Sequence, residues 1–407
     1  MRIGMILAAK FPSDFRVEKE ISSLKKKHEI FLLCHLRGDD HLNEKWKGIN
    51  ISRIFTGSER LWSNWQLFRG CYSNLWKRKI ELFIDNNHIE ILHVHDLPLI
   101  GTAIEVAKKY NIPVIADLHE NFPELLALEK KESILSSPSF GTLIIRLLIS
   151  IKHWKKYERE VVPKADAVIT VIEEASQRLI DLNIPPSKLR VVANYNRLDE
   201  SGDRANLSFQ NSGKFNVVYA GGFGPSRDLK TLIRAAAAIS TSDIPELAIS
   251  MLGAKGRTYE IMKEYVDQLR VADKVSIYKW VPMDHVDKMM NEAHIGLVPH
   301  RKSEHTDATI PHKLFQYMAH GLPVIVSNCK PLERIVKESG AGLVYKTGDA
   351  EELASCLKVI YNNPMKAKEM ANAGVRAVHK QYNWSFAEKV LLELYDELEQ
   401  KNSYDVR

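Results

Sequence analysis

The chain has 407 residues, 45% hydrophobic and 27% charged, which is enough apolar material for more than one core. A single core stops growing at about 250–300 residues, so two domains are expected. Fifty-seven Lys and Arg against 51 Asp and Glu leave a net +6, too little for a general nucleic-acid binder, though a local basic patch is allowed.

Met1-Arg2 leads directly into an apolar run, with no secretory-type cleavage pattern. In the first half, strand-like runs fall at Ile3–Ala9, Ile30–His35, Ile91–His95, Val114–Leu118, Ala167–Val171 and Val191–Asn194. In the second half they fall at Phe215–Gly221, Leu247–Gly253, Lys274–Trp280, Ile295–Pro299, Val324–Ser327 and Gly342–Tyr345. Short Val- and Ile-rich runs without strict alternation predict parallel strands buried on both faces. Helical spacing separates them, as in Ala103, Val106, Ala107 and Tyr110. The fold class expected is therefore α/β, with two doubly wound Rossmann-like domains facing a central cleft. Residues 1–198 form the first domain, polar Asp199–Lys214 the linker, 215–380 the second domain and 381–407 a terminal amphipathic helix. Ligands of such sheets bind beyond the carboxyl ends of the strands, so the loops there are where chemistry is expected.

Two stretches carry basic residues among aromatics. Arg60–Ile80 holds five basic residues and no acid, interleaved with Trp62, Trp65, Phe68, Tyr72 and Trp76. Arg146–Arg159 holds five against Glu158, beside apolar Leu143–Ile151 and Trp154. Both suit contact with an anionic membrane surface. The apolar segment is nine residues long and broken by Arg146, whereas a spanning helix needs about 20. Four scattered cysteines (Cys34, Cys71, Cys329, Cys356) form no CxxC pair, so a reducing cytoplasm is expected and a disulfide framework is not.

After the third strand, His93, His95 and Asp96 beside His119 raise the idea of a metal, but the run shows no matching ligand set elsewhere in the sequence. Asp117-Leu118-His119-Glu120-Asn121 closes the fourth strand, and His119 beside Glu120 suits a polar or proton-handling centre. In the second half, Gly221-Gly222-Phe223-Gly224-Pro225-Ser226-Arg227 follows a strand and precedes a helix. Glycines let a ligand approach backbone N–H groups, and Arg227 offers a bidentate cation for phosphate. From Thr309 to Val324, Pro311 is expected at the first helical position, leaving the N–H groups of His312, Lys313 and Leu314 free for an anion. Gln316, one turn after His312, is placed to hydrogen-bond a sugar hydroxyl.

With these segments, the chain resembles the group 1 (family 4) glycosyltransferases, retaining enzymes of GT-B architecture. The strongest part is PHKLFQYMAHGLPVIVS (Pro311–Ser327), similar to the family's P-x-K-x-x-E-Y-M-A-x-G-x-P-V-I block; FPSDFRVEKEISSL, HVHD, DLHENFPE, ADAVITV and YAGGFGPSRDLKTLI support it. The resemblance implies that Arg227 binds the donor diphosphate together with Gly221, Gly222 and the segment carrying Thr309, Ile310, His312, Lys313 and Leu314. It also implies that Gln316 meets the donor ribose and that Asp96, His119 and Glu120 lie on the acceptor side. His119 and Arg227 are the expected catalytic pair. The family's acids are spaced E-x7-E, and here those positions are Ala308 and Gln316; Asp307 or Glu304 is the expected substitute for the first. Phe223 stands where many members carry a further basic residue.

The expected activity is hexosyl transfer from a nucleotide-diphosphate sugar to a hydroxyl, with no cofactor and no metal. The acceptor expected is a lipid-linked saccharide of cell-surface polysaccharide synthesis, met at the cytoplasmic membrane face. Nucleic acid is not an expected partner. Two rival readings are a sugar-nucleotide 2-epimerase and a non-catalytic partner subunit of the same fold.

Overall fold

The computed structural model describes residues 1–12, 14–36, 40–55, 73–135, 149–198 and 213–405, side chains of 132–135 and 402–405 excepted. The chain forms two compact units. Unit 1 comprises Met1–Ala193 with Ala387–Arg407, and unit 2 comprises Asn194–Phe386. The crossing at Ala193 precedes the polar linker because Tyr195 packs edge-on against Phe315 and Tyr382, both in unit 2. Of that linker, 199–212 lies outside the described residues.

Unit 1 carries β1 (Arg2–Leu7), β2 (Glu29–His35), β3 (Asn43–Trp46), β4 (Ile49–Ile54), β5 (Ile91–His95), β6 (Val114–Leu118), β7 (Ala167–Thr170) and β8 (Leu189–Val191). They lie in the order β3-β4-β2-β1-β5-β6-β7-β8, parallel except for β3 against β4. β3 and β4 were not expected from the sequence. β3 (Asn-Glu-Lys-Trp) is a polar edge strand, and β4 alternates Ile with Asn, Ser and Arg, so neither shows a continuous apolar run.

Unit 2 carries β9 (Phe215–Ala220), β10 (Leu247–Ala254), β11 (Val275–Lys279), β12 (Ile295–Val298), β13 (Val324–Ser327) and β14 (Gly342–Tyr345) in the all-parallel order β11-β10-β9-β12-β13-β14. The central strands of each sheet, β5, β6 and β7 in unit 1 and β12 and β13 in unit 2, are buried along their whole length. In unit 1 the core joins Leu92, Val94, Phe83 and Val106; in unit 2 it joins Val217, Ile249, Leu232 and Leu357.

Strand order reverses once in each unit, between β1 and β5 and between β9 and β12. The loops leaving two such strands run to opposite faces of the sheet and open a crevice at their carboxyl ends, the usual ligand site of doubly wound sheets.

The expected membrane stretches change meaning here. Trp76 and Trp154 are 0% and 1% exposed and belong to the unit 1 core, so neither is available as an interfacial anchor. Burying a large aromatic side chain in its own core is worth about 2–3 kcal/mol, which a lipid surface does not match. Trp62, Trp65, Phe68, Tyr72 and Leu143–Leu148 lie outside the described residues. On the helix Ile151–Val161, Lys152, Lys156 and Arg159 remain exposed. Among the described residues, no helix is long and apolar enough to cross a membrane.

Candidate active site

In unit 2, β9 ends at Ala220 and Gly221 follows with φ +150, its N–H donating to the Leu252 carbonyl at 2.9 Å. A Cβ at Gly221 would collide with Lys313 Nζ, so glycine is what lets this ammonium reach the end of the strand. Gly222 is open to solvent, and its carbonyl accepts the Tyr219 hydroxyl at 2.6 Å. Arg227 pairs with His300 as an isolated bridge, which ties the loop after β9 to the loop after β12 at the point of strand reversal. Arg227 Nη1 donates to Ser226 Oγ at 2.8 Å, and its Nε has no hydrogen-bond partner among the described residues.

Lys313 is 8% exposed. Its Nζ lies 4.2 Å from the Tyr219 ring centroid and has no hydrogen-bond partner among the described residues. Burial, then the nearby Arg227 charge, hold this amine well below the usual lysine range. His300 is buried with both ring nitrogens lacking partners, and burial followed by Arg227 and Lys313 holds it well below the usual histidine range. The Lys313 amine, the Arg227 guanidinium and the His300 imidazole thus converge, with no anion beside them among the described residues. Natural interiors rarely leave such groups unpaired, and a bound anion is the direct way to satisfy them.

The helix His312–Ala319 supplies Lys313, with two differences from expectation. Pro311 is its N-cap (φ −81, ψ 138), one position earlier than expected, because the extended backbone of the preceding segment continues through it. Leu314 N–H is already used, donating to the Pro311 carbonyl at 3.3 Å, so it is not free for an anion. Ile310 and Leu314 bury their side chains in the core, and Thr309 is half-buried in extended backbone. His312 and Gln316 share a half-buried face, and His312 Nδ1 lies 3.3 Å from Asn196 Oδ1. Ala308 is buried, and its neighbour Asp307 is committed elsewhere: its Oδ1 accepts the backbone N–H of Lys330 at 2.8 Å. Asp307 is thus engaged through Oδ1 at the start of the helix Lys330–Ser339, while Glu304 is exposed.

In unit 1, Asp96 follows β5 with φ 63 and ψ 155, a conformation that costs a non-glycine residue about 1–3 kcal/mol. His119 Nδ1 lies 3.7 Å from Asp96 Oδ1, and its Nε2 lies 2.9 Å from Asp117 Oδ2 and 3.2 Å from His95 Nδ1. Burial opposes charging His119, but Asp96 and Asp117 outweigh it and raise its pKa to about 10. The two carboxylates thus favour the imidazolium form of His119, in which both ring nitrogens donate hydrogen bonds. Burial pushes the Asp96 carboxyl up. Glu120, expected as the partner of His119, is half-buried beside it, while the carboxylates that His119 meets are Asp96 and Asp117.

Behind His119 lies a buried set that sequence reasoning did not assemble. Asp14 caps the helix Phe15–Leu24 and directs Arg16 and Glu20, one turn apart, inward. Arg16 grips Asp117 with Nη2–Oδ1 2.8 Å and Nε–Oδ2 3.2 Å, and Nη2 lies 3.0 Å from Glu20 Oε1. Burial raises Glu20 to about 7 and, with His93, lowers His95 to about 3; Asp117, despite burial, is held well below the carboxylate range by Arg16 and His119. His93 Nδ1 lies 2.7 Å from the Tyr395 hydroxyl of the terminal helix Trp384–Asp405. Tyr219 and His300 of unit 2 were also missed. His300 was findable, since it stands two positions after β12 at a strand's carboxyl end; Arg16 and Glu20, on a helix, carried no such mark.

A doubly wound pair of sheets with an anion-seeking crevice in unit 2 and a carboxylate–histidine cluster in unit 1 is the framework of a group-transfer enzyme. Residues 204–376 match the family described as Glycosyl transferases group 1, and residues 21–195 match Glycosyltransferase Family 4. The chain belongs to the group 1 (family 4) glycosyltransferases of GT-B fold and is an enzyme of that family. It is 21% identical over 411 aligned positions to a phosphatidyl-myo-inositol mannosyltransferase of Mycolicibacterium smegmatis, covering 97% of this chain and 94% of that protein. Over 127 residues, 31% of each chain, it is 26% identical to the amylovoran biosynthesis glycosyltransferase AmsK of Erwinia amylovora. Among solved structures, sucrose-phosphate synthase from Thermosynechococcus elongatus superposes with TM-score 0.77 at 16% identity, covering 98% and 99% of the two chains. Anabaena HepE in complex with UDP-glucose superposes with TM-score 0.69 at 12% identity, covering 98% and 100%.

Proposed function

We propose that the protein transfers a hexosyl group from a nucleoside-diphosphate sugar to an acceptor hydroxyl, with retention at the anomeric carbon. The observation that carries this reading is the buried Lys313 amine, without a hydrogen-bond partner among the described residues, beside Arg227 at the strand reversal of unit 2. A diphosphate supplies the missing negative charge. As the bond between the anomeric carbon and the β-phosphate oxygen breaks, charge grows on the leaving diphosphate. Lys313, Arg227 and the N–H groups of His312 and Lys313 stabilise it, the electrostatic contribution that usually dominates such steps. The bond to the acceptor oxygen forms on the same face, and the acceptor proton leaves with the diphosphate. Metal is not needed in this step, since the two cations occupy that role.

The donor is assigned to unit 2 through Gly221, Gly222, Arg227, Thr309, Lys313 and Gln316, and the acceptor to unit 1 through Asp96, His119 and Glu120. A UDP-glucose complex of the structurally similar HepE supports a nucleotide-sugar donor. The phosphatidyl-myo-inositol in the name of the Mycolicibacterium smegmatis mannosyltransferase supports a lipid acceptor, the basis for proposing a lipid-linked saccharide of cell-surface polysaccharide assembly. The direct test is calorimetric titration with uridine and guanosine diphosphates and their hexosyl derivatives. One of them binding in the wild type and at least tenfold more weakly in Arg227→Ala is the expected result; no binding by any of them favours a non-catalytic subunit, the reading that Ala308 and Gln316 motivate.

A further inference from the structure

The cluster behind His119 has a property that neither donor nor acceptor binding uses. Four ligand-type atoms, each from a different side chain, converge inside unit 1: Glu20 Oε2, His93 Nε2, His95 Nδ1 and Asp117 Oδ2. Glu20 Oε2 lies 3.7 Å from His93 Nε2 and 3.9 Å from His95 Nδ1, while Asp117 Oδ2 lies 3.5 Å and 3.1 Å from the same two nitrogens. The four residues' ligand atoms are all within 4.8 Å of one another, and all four side chains are fully buried. We propose that Glu20, His93, His95 and Asp117 form a binding site for one divalent first-row transition-metal ion of the zinc class.

Three observations support it. Zinc bonds to nitrogen and oxygen of about 2.0–2.2 Å place tetrahedral ligands about 3.4 Å apart, and the four carboxylate–imidazole separations bracket that spacing, within a set no wider than 4.8 Å. Glu20 Oε2 and His93 Nε2 have no hydrogen-bond partner among the described residues, although both are buried. An interior seldom leaves a carboxylate oxygen and an imidazole nitrogen facing each other unpaired.

The outer contacts of Asp117, Glu20 and His93, finally, have the form that metal ligands require, while His95 Nε2 has no partner among the described residues. Arg16 holds Asp117 chiefly through Oδ1 and reaches Glu20 through Oε1, which turns Oε2 inward, and the Tyr395 hydroxyl engages His93 through Nδ1, leaving Nε2 to point at the carboxylates. Such second contacts fix ring orientation and ligand basicity. Two imidazoles and two carboxylates without a thiolate suit zinc, and also manganese, iron or cobalt. His119 is the partly exposed neighbour of this set, 16% exposed, and shares Asp117 Oδ2 with it. The site lies wholly within unit 1 and is independent of the donor reading.

The test uses the full-length protein without a histidine tag, stripped with chelator, loaded with zinc sulfate and desalted. Elemental analysis is expected to find one zinc per chain, with a rise in Tm on loading. His93→Gln, with an unchanged far-UV circular dichroism spectrum, is expected to retain at least tenfold less. In zinc-soaked wild-type crystals, an anomalous peak is expected within bonding distance of the four side chains, which needs no variant to fold. Zinc below about a tenth of an equivalent in the wild type, equal zinc in His93→Gln, or an anomalous peak at other residues only, would overturn the proposal.

Discussion

An ammonium drawn out of water and set against an aromatic ring is destabilised until an anion reaches it, and Lys313 is in that position. Because burial and Arg227 lower its pKa in the empty site, a diphosphate that favours the charged form must raise it again. Between the two values, binding takes up a proton, and affinity falls as pH rises through the higher one. Calorimetry of uridine diphosphate binding in two buffers of different ionisation enthalpy is expected to report proton uptake, absent in Lys313→Met. Equal apparent enthalpies in both buffers would remove Lys313 from this role. For Arg227→Ala, donor KM is expected to rise and kcat to fall by about tenfold or more, in line with the loss of a charge-assisted contact of roughly 1.5–3 kcal/mol. His119→Ala is expected to lower turnover while leaving donor affinity within about twofold. A donor-side defect there would relocate the residue.

At the level of elements, short helices owe their positions to contacts outside themselves. The helix Lys330–Ser339 has no cap from its own N-cap Cys329, and Asp307 supplies one from a distant loop. Asp307→Ala is therefore expected to lower stability by about 1 kcal/mol in urea denaturation. Turnover should be unchanged, whereas lost turnover at intact stability would return Asp307 to the transferred sugar. The helix His312–Ala319 is seated by Tyr317, whose ring packs onto Gly296 and whose hydroxyl accepts the Ala220 N–H at 2.8 Å. That single side chain sets the spacing between the β9 loop and Lys313. Gly221→Ala forces a methyl group into Lys313 Nζ at a φ unfavourable to alanine, and is expected to weaken diphosphate binding at least tenfold.

For the whole molecule, ligand linkage and charge matter most. A nucleotide at 100 times its Kd stabilises the unit that binds it by about 2.7 kcal/mol, so a thermal-shift panel of nucleotide sugars identifies base and sugar together. The exposed Lys152, Lys156 and Arg159 offer up to about 1 kcal/mol each toward an anionic surface, without help from the buried Trp154. Flotation with phosphatidylglycerol vesicles is expected to capture the protein at low salt and release it at high salt. Failure to float at low salt would leave the acceptor free of the membrane.

Apolar runs, their Val and Ile content and the loops that end them determined the two α/β units, eleven of the fourteen described strands, and the placing of Gly221, Arg227 and Lys313 at strand or helix ends; the expected run Val191–Asn194 meets β8 only at Val191. Those features are local: a strand buried on both faces and a glycine at its end are written in consecutive residues. Whether Lys313 is solvated or buried, which carboxylate holds His119, that Asp307 is a helix cap, and that Trp76 and Trp154 are core were decided only by tertiary packing. Each depends on which distant side chain arrives at a given point in space. Glu20 shows this most clearly, since only the return of its helix onto the sheet brings its carboxylate against His93 and His95, and no spacing along the chain encodes that meeting.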